Sequence, residues 1–508
     1  MTIDPSKYHV ESHTVPIWQE EQSFQEIMAE QLRHAPWLLL SIVIHGIAVV
    51  LLLLIQTEAP VNTDNVLKMQ QEKPPEEIEE EEPPPEEVEE EEPEEEPVLQ
   101  DVEIEETLTE ETFEDFTDTS ESAFDNDSWN TAVGLGGGAG GKFGGRGGGR
   151  RGLGASGGRD TARAIELGLE WLAKHQDEDG RWDADDFMKH DLEGDPCDGP
   201  GDAGHDVGVT GLALLAFLGD GSTMKAGPYK KNIRDGVRWL REQQQETGLF
   251  GTDAVHAYIY DHAIAAYAMV EAYQGESKLL KKYAQRGIDY LESHRNPDMV
   301  WRYEPQGNDN DTSITGWCVM AYKSAQDFNL KVNDQAIGYC EVWFDQVTDP
   351  ASGRAGYRKR GEPSSREEGD HEVNFPRDKG EALTAVGLMC RFFLGQDPDD
   401  QPTMVAAADT LLKTPPIWDE DDGSVDHYYW YYGSYALYQM GKFKGKDYWG
   451  KWAKSLTKAV VKTQRDEGNF KGSWDPIGVW GEYGGRVYST AILVLTLEAY
   501  YRYTRLIR

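Results

Sequence analysis

From residue 160 to the C-terminus the chain alternates two kinds of apolar pattern. In the first, apolar positions return every three or four residues with polar ones between them. Examples are "GLEWLAKHQDEDGRW" ending at Trp182, "GVRWLREQQQETGLF" ending at Phe250 and "LTKAVVKTQRDEGNF" ending at Phe470. This is the stripe of an amphipathic helix closed by a Gly-aromatic turn, and Gln176, Gln244 or Gln245, and Gln464 recur before that turn. The second pattern is apolar nearly all round: "HDVGVTGLALLAF", "YDHAIAAYAMVEA", "NDTSITGWCVMAY", "KGEALTAVGLMCR", "DHYYWYYGSYALY" and "GRVYSTAILVLTL". The two alternate with a period of roughly 50 to 70 residues. Helices apolar on every side belong inside and amphipathic ones outside. Six such units therefore predict an all-α fold over 160–508, an α6/α6 toroid with an inner ring of helices wrapped by an outer ring.

The text upstream is different. Residues 35–57 carry no charge and have the roughly 20-residue length that spans hydrocarbon, so they predict a single transmembrane helix. Arg33 and Lys7 precede the span and no Lys or Arg comes after it before Lys68, which puts residues 1–34 in the cytoplasm and the remainder beyond the inner membrane. The preceding region is long and acidic, so an uncleaved anchor is expected rather than a signal peptide.

Composition accounts for the stretch between the span and the repeats. The 508 residues carry a formal charge of -43 and a mean hydropathy of -0.63. The excess acid lies in residues 58–132, in text such as "EKPPEEIEEEEPPPEEVEEEEPEEEP". Such a segment cannot build a core and reads as an extended, self-repelling, disordered tether. Residues 133–159 are Gly-rich and basic, a flexible segment in which Lys142, Arg146, Arg150 and Arg151 are charges able to meet an anionic surface. Nucleic acid is not an expected partner outside the cytoplasm. The four cysteines, Cys197, Cys318, Cys340 and Cys390, lack any CxxC spacing and read as buried free thiols.

The Gln-to-Gly-aromatic turns resemble the QW repeats of squalene-hopene cyclases, and the six-hairpin plan is similar to the toroid of protein prenyltransferase beta subunits. The resemblance covers 160–508 and implies the fold, not the activity. Cyclases of that kind protonate an alkene with an aspartic acid of a DxDD motif at the start of an inner helix. The matching text "NDNDTSITGW" places Asn310 where that acid is expected, and an amide cannot serve. A literal DxDD at Asp419, Glu420, Asp421 and Asp422 precedes a glycine and reads as a solvated acidic turn. Prenyltransferases hold zinc with Asp, Cys and His. Asp195, Cys197 and His205 supply those residue types, but all within one Gly/Pro-rich loop, so no metal or other cofactor is expected. The thioester motif GCGEQ of complement-type toroids is absent.

Aligning the starts of the six inner helices places Asp206, Asp261, Asp311, Gly380, His427 and Arg486 in one layer at a mouth of the toroid. His205, His262, Glu381, Asp426 and Tyr428 lie beside it. Aspartates there serve as N-caps. Asp261, His262, Asp311 and His427 are the candidate catalytic groups. Asp206, Tyr428, Tyr429, Trp430 and Arg486 are the candidate ligand contacts, since aromatic faces with polar tips suit sugars, peptides or isoprenoids.

Within the predicted span, "LLLSIVIHGIAVVLLLL" puts Ser41 and His45 on one helical face. An ionisable ring in hydrocarbon marks a proton route or a partner helix. The SxxxHG pattern and the Pro/Glu-rich tether resemble the N-terminal anchor of TonB-type energy transducers, which implies contact of Ser41 and His45 with an ExbB/ExbD-type proton-driven motor. Two functions are expected from these readings: a periplasmic binding or scaffolding protein on a TonB-like anchor, or an enzyme of the terpenoid-cyclase, prenyltransferase or carbohydrate-active classes using the polar mouth.

Overall fold

A computed structural model of the chain describes residues 158–274 and 277–499, all within the unit Glu103–Arg508. The expected span at 35–57, with Ser41 and His45, the tether, and the Gly/Arg segment up to residue 157 lie outside the described residues. Among the described residues no helix is long and apolar enough to cross a membrane.

In chain order the helices are α1 (Gly158–Lys174), α2 (Asp206–Gly219), α3 (Lys230–Gln243), α4 (Tyr258–Tyr273), α5 (Lys278–His294), α6 (Thr312–Asp327) and α7 (Asp334–Val347). They continue with the short α8 (Asp370–Asn374), then α9 (Ala382–Phe393), α10 (Pro402–Leu411), α11 (His427–Met440), α12 (Tyr448–Val460) and α13 (Gly481–Leu497). A two-residue hairpin, β1 (Lys442–Phe443) with β2 (Lys446–Asp447), leads into α12.

The architecture is an α/α toroid. α2 packs on α4, α4 on α6, α6 on α9, α9 on α11 and α11 on α13; α13 then returns to α2 and closes the inner ring. α1, α3, α5, α7, α10 and α12 lie outside it. The apolar pattern dictates this division. Every residue of α9 is buried, whereas the buried residues of α3 are one stripe, chiefly Ile233, Val237, Trp239 and Leu240. Each fully buried Leu, Val or Phe contributes about 1.5–3 kcal/mol, so a helix buried all round forms the core and a striped one covers it.

The repeated turn residues fasten each outer helix to the next. The Gln176 amide donates to Gly180 O at 2.7 Å in its own turn and to Asn232 O at 2.9 Å on α3. Gln244 repeats this with Gly248 O at 3.2 Å and Tyr283 O on α5 at 3.0 Å, and Gln464 with Gly472 O and Ala164 O, both at 2.8 Å. The bond to Ala164 joins the turn after α12 to α1 and closes the outer ring. Trp182, Trp301 and Trp474 each donate an indole N–H to a carbonyl of the preceding outer helix, at 2.7, 2.7 and 2.8 Å. The glycines are obligatory. At Gly180, φ is +104° and an added Cβ would lie 2.2 Å from Asp235 O of α3; at Gly472, φ is +101° and it would lie 2.2 Å from Leu167 O of α1.

Candidate functional site

The N-terminal ends of the inner helices converge on a cavity of about 210 Å³. Its floor is apolar, with Val209 and Leu212 from α2 and Ile264 from α4. Its wall is aromatic and hydroxyl-bearing: Tyr260, Tyr303, Trp317, Tyr428, Trp480 and Tyr483, with Tyr488 and Ser313. A side lobe of about 40 Å³ runs between Tyr303, Tyr357, Arg366 and Leu383. The hydroxyls of Tyr428 and Ser313 bond each other at 2.8 Å, and Tyr483 donates to Glu367 at 2.5 Å.

Two charged groups on this wall form a pair. His205 ends a short 3-10 turn, Ala203–His205, whose Asp202 cap accepts from Gly204 N–H at 2.8 Å. Asp261 stands in the first turn of α4. His205 Nδ1 lies 2.9 and 3.1 Å from the two Asp261 oxygens. Burial works to lower the His205 pKa, but the hydrogen bond and charge of Asp261 outweigh it and hold it above the ordinary value. Asp261 fixes Nδ1–H, which leaves Nε2 as the basic ring atom. α2 can approach so closely only because residue 208 is glycine: a Cβ there would sit 2.1 Å from Asp261 Oδ1.

Asp261 does not share a layer with Asp206 and Arg486. In four repeats a side chain of the inner helix accepts the backbone N–H of the turn before it. Thr210 accepts from Trp182 at 2.9 Å, His262 Nδ1 from Phe250 at 3.0 Å, Thr384 from Ala355 at 3.3 Å and Thr490 from Trp474 at 3.4 Å. His262 is therefore the counterpart of Thr210, and Asp261 lies three residues deeper than a register matching it to Asp206 would place it. His262 Nε2 donates to Gly287 O at 3.1 Å, and burial lowers its pKa to about 3. It is a neutral strut of the turn.

Asp311 caps α6, accepting from Ile314 N–H at 2.8 Å, and its second oxygen accepts from Tyr357 at 3.3 Å. Burial pushes its pKa up to about 7. Tyr357 also reaches the hydroxyl of Tyr303 at 3.3 Å, so Asp311 stands one hydroxyl behind the cavity wall. The Asn310 amide oxygen accepts from Asn296 at 3.0 Å and from Val300 N–H at 3.2 Å, a structural duty inside the turn.

The remaining expected residues serve the fold. Asp206 accepts from Ala184 N–H at 2.9 Å and pairs with Arg181 at 3.3 Å; burial raises it to about 6. Arg486 is fully buried and pairs with Asp475 at 2.7 Å and with Asp198, donates to Ser473 at 3.0 Å, and lies 4.7 Å over the Phe470 ring. Tyr429 turns outward to Thr414 O at 2.8 Å and packs edge-on against Trp452. Trp430 and Trp418 flank His427 with ring centroids 5.6 and 5.4 Å away, and burial lowers the His427 pKa to about 3. Asp426 pairs with Arg366 at 3.2 Å, both side chains about 1% exposed, and Glu381 with Arg354. Of the expected contacts, only Asp261 and Tyr428 line the cavity, with His205 beside them. Asp419, Glu420 and Asp421 are exposed, as expected of a solvated turn, and the four cysteines are buried and free.

Sequence reasoning missed Tyr260, Tyr303, Trp317, Glu367, Trp480 and Tyr483. The usable signal was in "IGVWGEYGGRVY", where Trp480 and Tyr483 interrupt a glycine-rich entry to the last inner helix.

No family model matches the chain, and no curated protein does. Several solved structures are similar to it. A sugar epimerase from a ruminal bacterium is 14% identical with a TM-score of 0.46, over 66% of this chain and 97% of that one. An alpha-1,6-mannanase of Salegentibacter sp. is 10% identical with a TM-score of 0.45, over 66% and 98%. The type II terpene cyclase MstE from Scytonema is 14% identical with a TM-score of 0.42, over 67% and 96%. At these scores and identities the likenesses carry no argument about what this chain binds or does.

Proposed function

We propose that this chain is a membrane-anchored binding protein whose toroid holds one small, flat-faced, hydroxylated ring, such as a single saccharide unit of a larger glycan, in the mouth cavity. The observation that carries this reading is the composition and size of the cavity wall. Aromatic faces bearing hydroxyls stack on a sugar ring and bond its edges. The main cavity has carboxylates in Asp261 and Glu367 and no Lys or Arg among the described residues, and Arg366 in the side lobe is paired with Asp426, which disfavours a phosphorylated or diphosphate ligand. At about 210 Å³ the cavity is smaller than the roughly 300–1,000 Å³ of sites enclosing drug-sized ligands. It suits one ring better than a folded polyprene chain.

Calorimetric titration of the detergent-solubilised full chain with mono- and oligosaccharides tests the reading; binding should weaken in Tyr428→Ala. The anchor belongs to the same proposal. Residues 35–57 hold the chain in the inner membrane, the toroid stands in the periplasm, and Ser41 with His45 face an ExbB/ExbD-type motor. Its support is the SxxxHG pattern and the tether alone. Co-purification of motor subunits that His45→Ala leaves unchanged would refute that part.

One observation favours a second reading, a carbohydrate-active enzyme. Asp261 holds His205 Nδ1 as a partner carboxylate holds a general base, with Nε2 remaining to take a proton. Glycan turnover abolished by His205→Gln, with binding retained, would select this reading over the first.

A further inference from the structure

Away from the mouth, three metal-ligating side chains meet behind the C-terminal end of α1. His175 comes directly after α1, Asp191 directly after the 3-10 turn Phe187–His190, and Cys197 lies in the Gly/Pro-rich loop that runs on toward α2. One donor atom from each lies within 4.8 Å of the other two. The His175 and Asp191 side chains are 4% and 6% exposed, and Cys197 is buried.

Their hydrogen bonds call for positive charge between them. His175 Nδ1 lies 2.8 Å from the Trp171 carbonyl oxygen, which can only accept, so Nδ1 carries the ring proton. In the neutral ring, Nε2 then presents its lone pair to Asp191 Oδ1 at 3.1 Å, acceptor against acceptor. A second ring proton or a metal ion resolves that conflict, and the Cys197 sulfur beside the pair favours the ion. A neutral imidazole, a carboxylate and a thiolate together carry two negative charges, which match a dication. One nitrogen, one oxygen and one sulfur form a ligand set that suits zinc. Tetrahedral zinc with bonds of about 2.0–2.3 Å separates its ligand atoms by roughly 3.3–3.6 Å; here His175 Nε2 and Asp191 Oδ1 are 3.1 Å apart and all three donors lie within 4.8 Å of one another. The outer partners of such a site are also present: the Trp171 carbonyl fixes the imidazole tautomer, and Cys197 N–H donates to Asp191 Oδ2 at 2.6 Å and orients the carboxylate.

We propose that His175 Nε2, Asp191 Oδ1 and Cys197 Sγ bind a zinc ion that pins the loop 191–201 to the first repeat. This is not the set Asp195, Cys197 and His205 suggested by residue type. Asp195 offers its carbonyl to Asn469 at 3.0 Å, and His205 is held by Asp261. The pinned loop crosses the seam of the ring. Gly199 O accepts from Arg486 N–H at 2.9 Å, Asp198 pairs with the Arg486 side chain, and Asp202 N–H donates to Tyr483 O at 2.7 Å. Zinc would thus brace the closure of the toroid and, through Tyr483, one wall of the cavity.

The test uses the full chain purified from zinc-supplemented medium and dialysed. Elemental analysis should find a single zinc ion per chain. Cobalt(II) substitution should give a thiolate-to-metal charge-transfer band that Cys197→Ser removes and Asp195→Asn keeps. Should Cys197→Ser fail to fold, the wild-type cobalt spectrum decides alone. Substoichiometric zinc together with no thiolate band overturns the proposal, leaving His175 and Asp191 as a proton-shared pair.

Discussion

His205 and His427 stand at the N-terminal ends of two inner helices, α2 and α11, and their environments move them in opposite directions. His205 faces a carboxylate, and Asp261 holds its pKa above the ordinary value against the pull of burial. His427 lies between indole rings with neither ring nitrogen hydrogen-bonded, and burial alone lowers it to about 3. The difference divides the mouth. Around α9 and α11 the charges are used on one another, Asp426 with Arg366 and Glu381 with Arg354. The His205–Asp261 pair between α2 and α4, and Glu367, border open space. Polar residues at the helix starts therefore carry different duties: the His205–Asp261 pair at α2 and α4 reaches the cavity, while α11 contributes Tyr428 to its wall.

The largest expected effect comes from acid. His262 and His427 have folded pKa values of about 3 against 6.5 unfolded, so the unfolded chain binds protons that the folded chain refuses as pH falls from 6.5 toward 3. The share of each histidine is full above pH 6.5 and is lost below it by up to about 1.4 kcal/mol per pH unit, while Asp311 and Asp206, raised to about 7 and about 6, contribute in the opposite sense over the same window. Urea denaturation at a series of pH values measures the slope, and His427→Phe should remove one histidine's share. His205 has the opposite sign. Its contribution is full below pH 6.5 and is lost as pH rises through its raised folded pKa; NMR titration should find that pKa above 6.5 and lower in Asp261→Asn.

Next in size is Arg366→Ala, which leaves the Asp426 carboxylate buried without its partner. It should cost about 3–5 kcal/mol in chemical denaturation. On the cavity wall, Trp480→Ala should weaken saccharide binding about tenfold, equivalent to about 1.4 kcal/mol, with a smaller change in stability. The smallest effect is expected of Tyr428→Phe, which removes the hydrogen bond to Ser313 and should cost about 0.5–1.5 kcal/mol.

The toroid was legible because its signals are local. Gln176, Gly180 and Trp182 fall within one turn, and a similar set returns at Gln464, Gly472 and Trp474, so a repeat of hairpins can be read without knowing what touches what. The site was legible only in fragments. Tyr260, Tyr303, Tyr428 and Tyr483 come from separate repeats, and no sequence spacing relates them. Register was the second obstacle. Matching Asp261 to Asp206 aligned acids rather than the acceptors of the turn N–H groups, and so made His262 resemble a mouth residue although it fills the role of Thr210 and Thr490. Burial was the third. Arg486 and His427 have the chemistry of ligand contacts, but neither borders the cavity.

The central claim is that the aromatic wall of the mouth cavity binds a saccharide ring. Isothermal titration calorimetry of the full chain with a panel of saccharides, run on wild type and on Trp480→Ala, tests it most directly. Saturable binding by wild type that weakens about tenfold in the variant is the predicted result. The absence of binding across the panel, or binding that Trp480→Ala and Tyr428→Ala both leave unchanged, would contradict it.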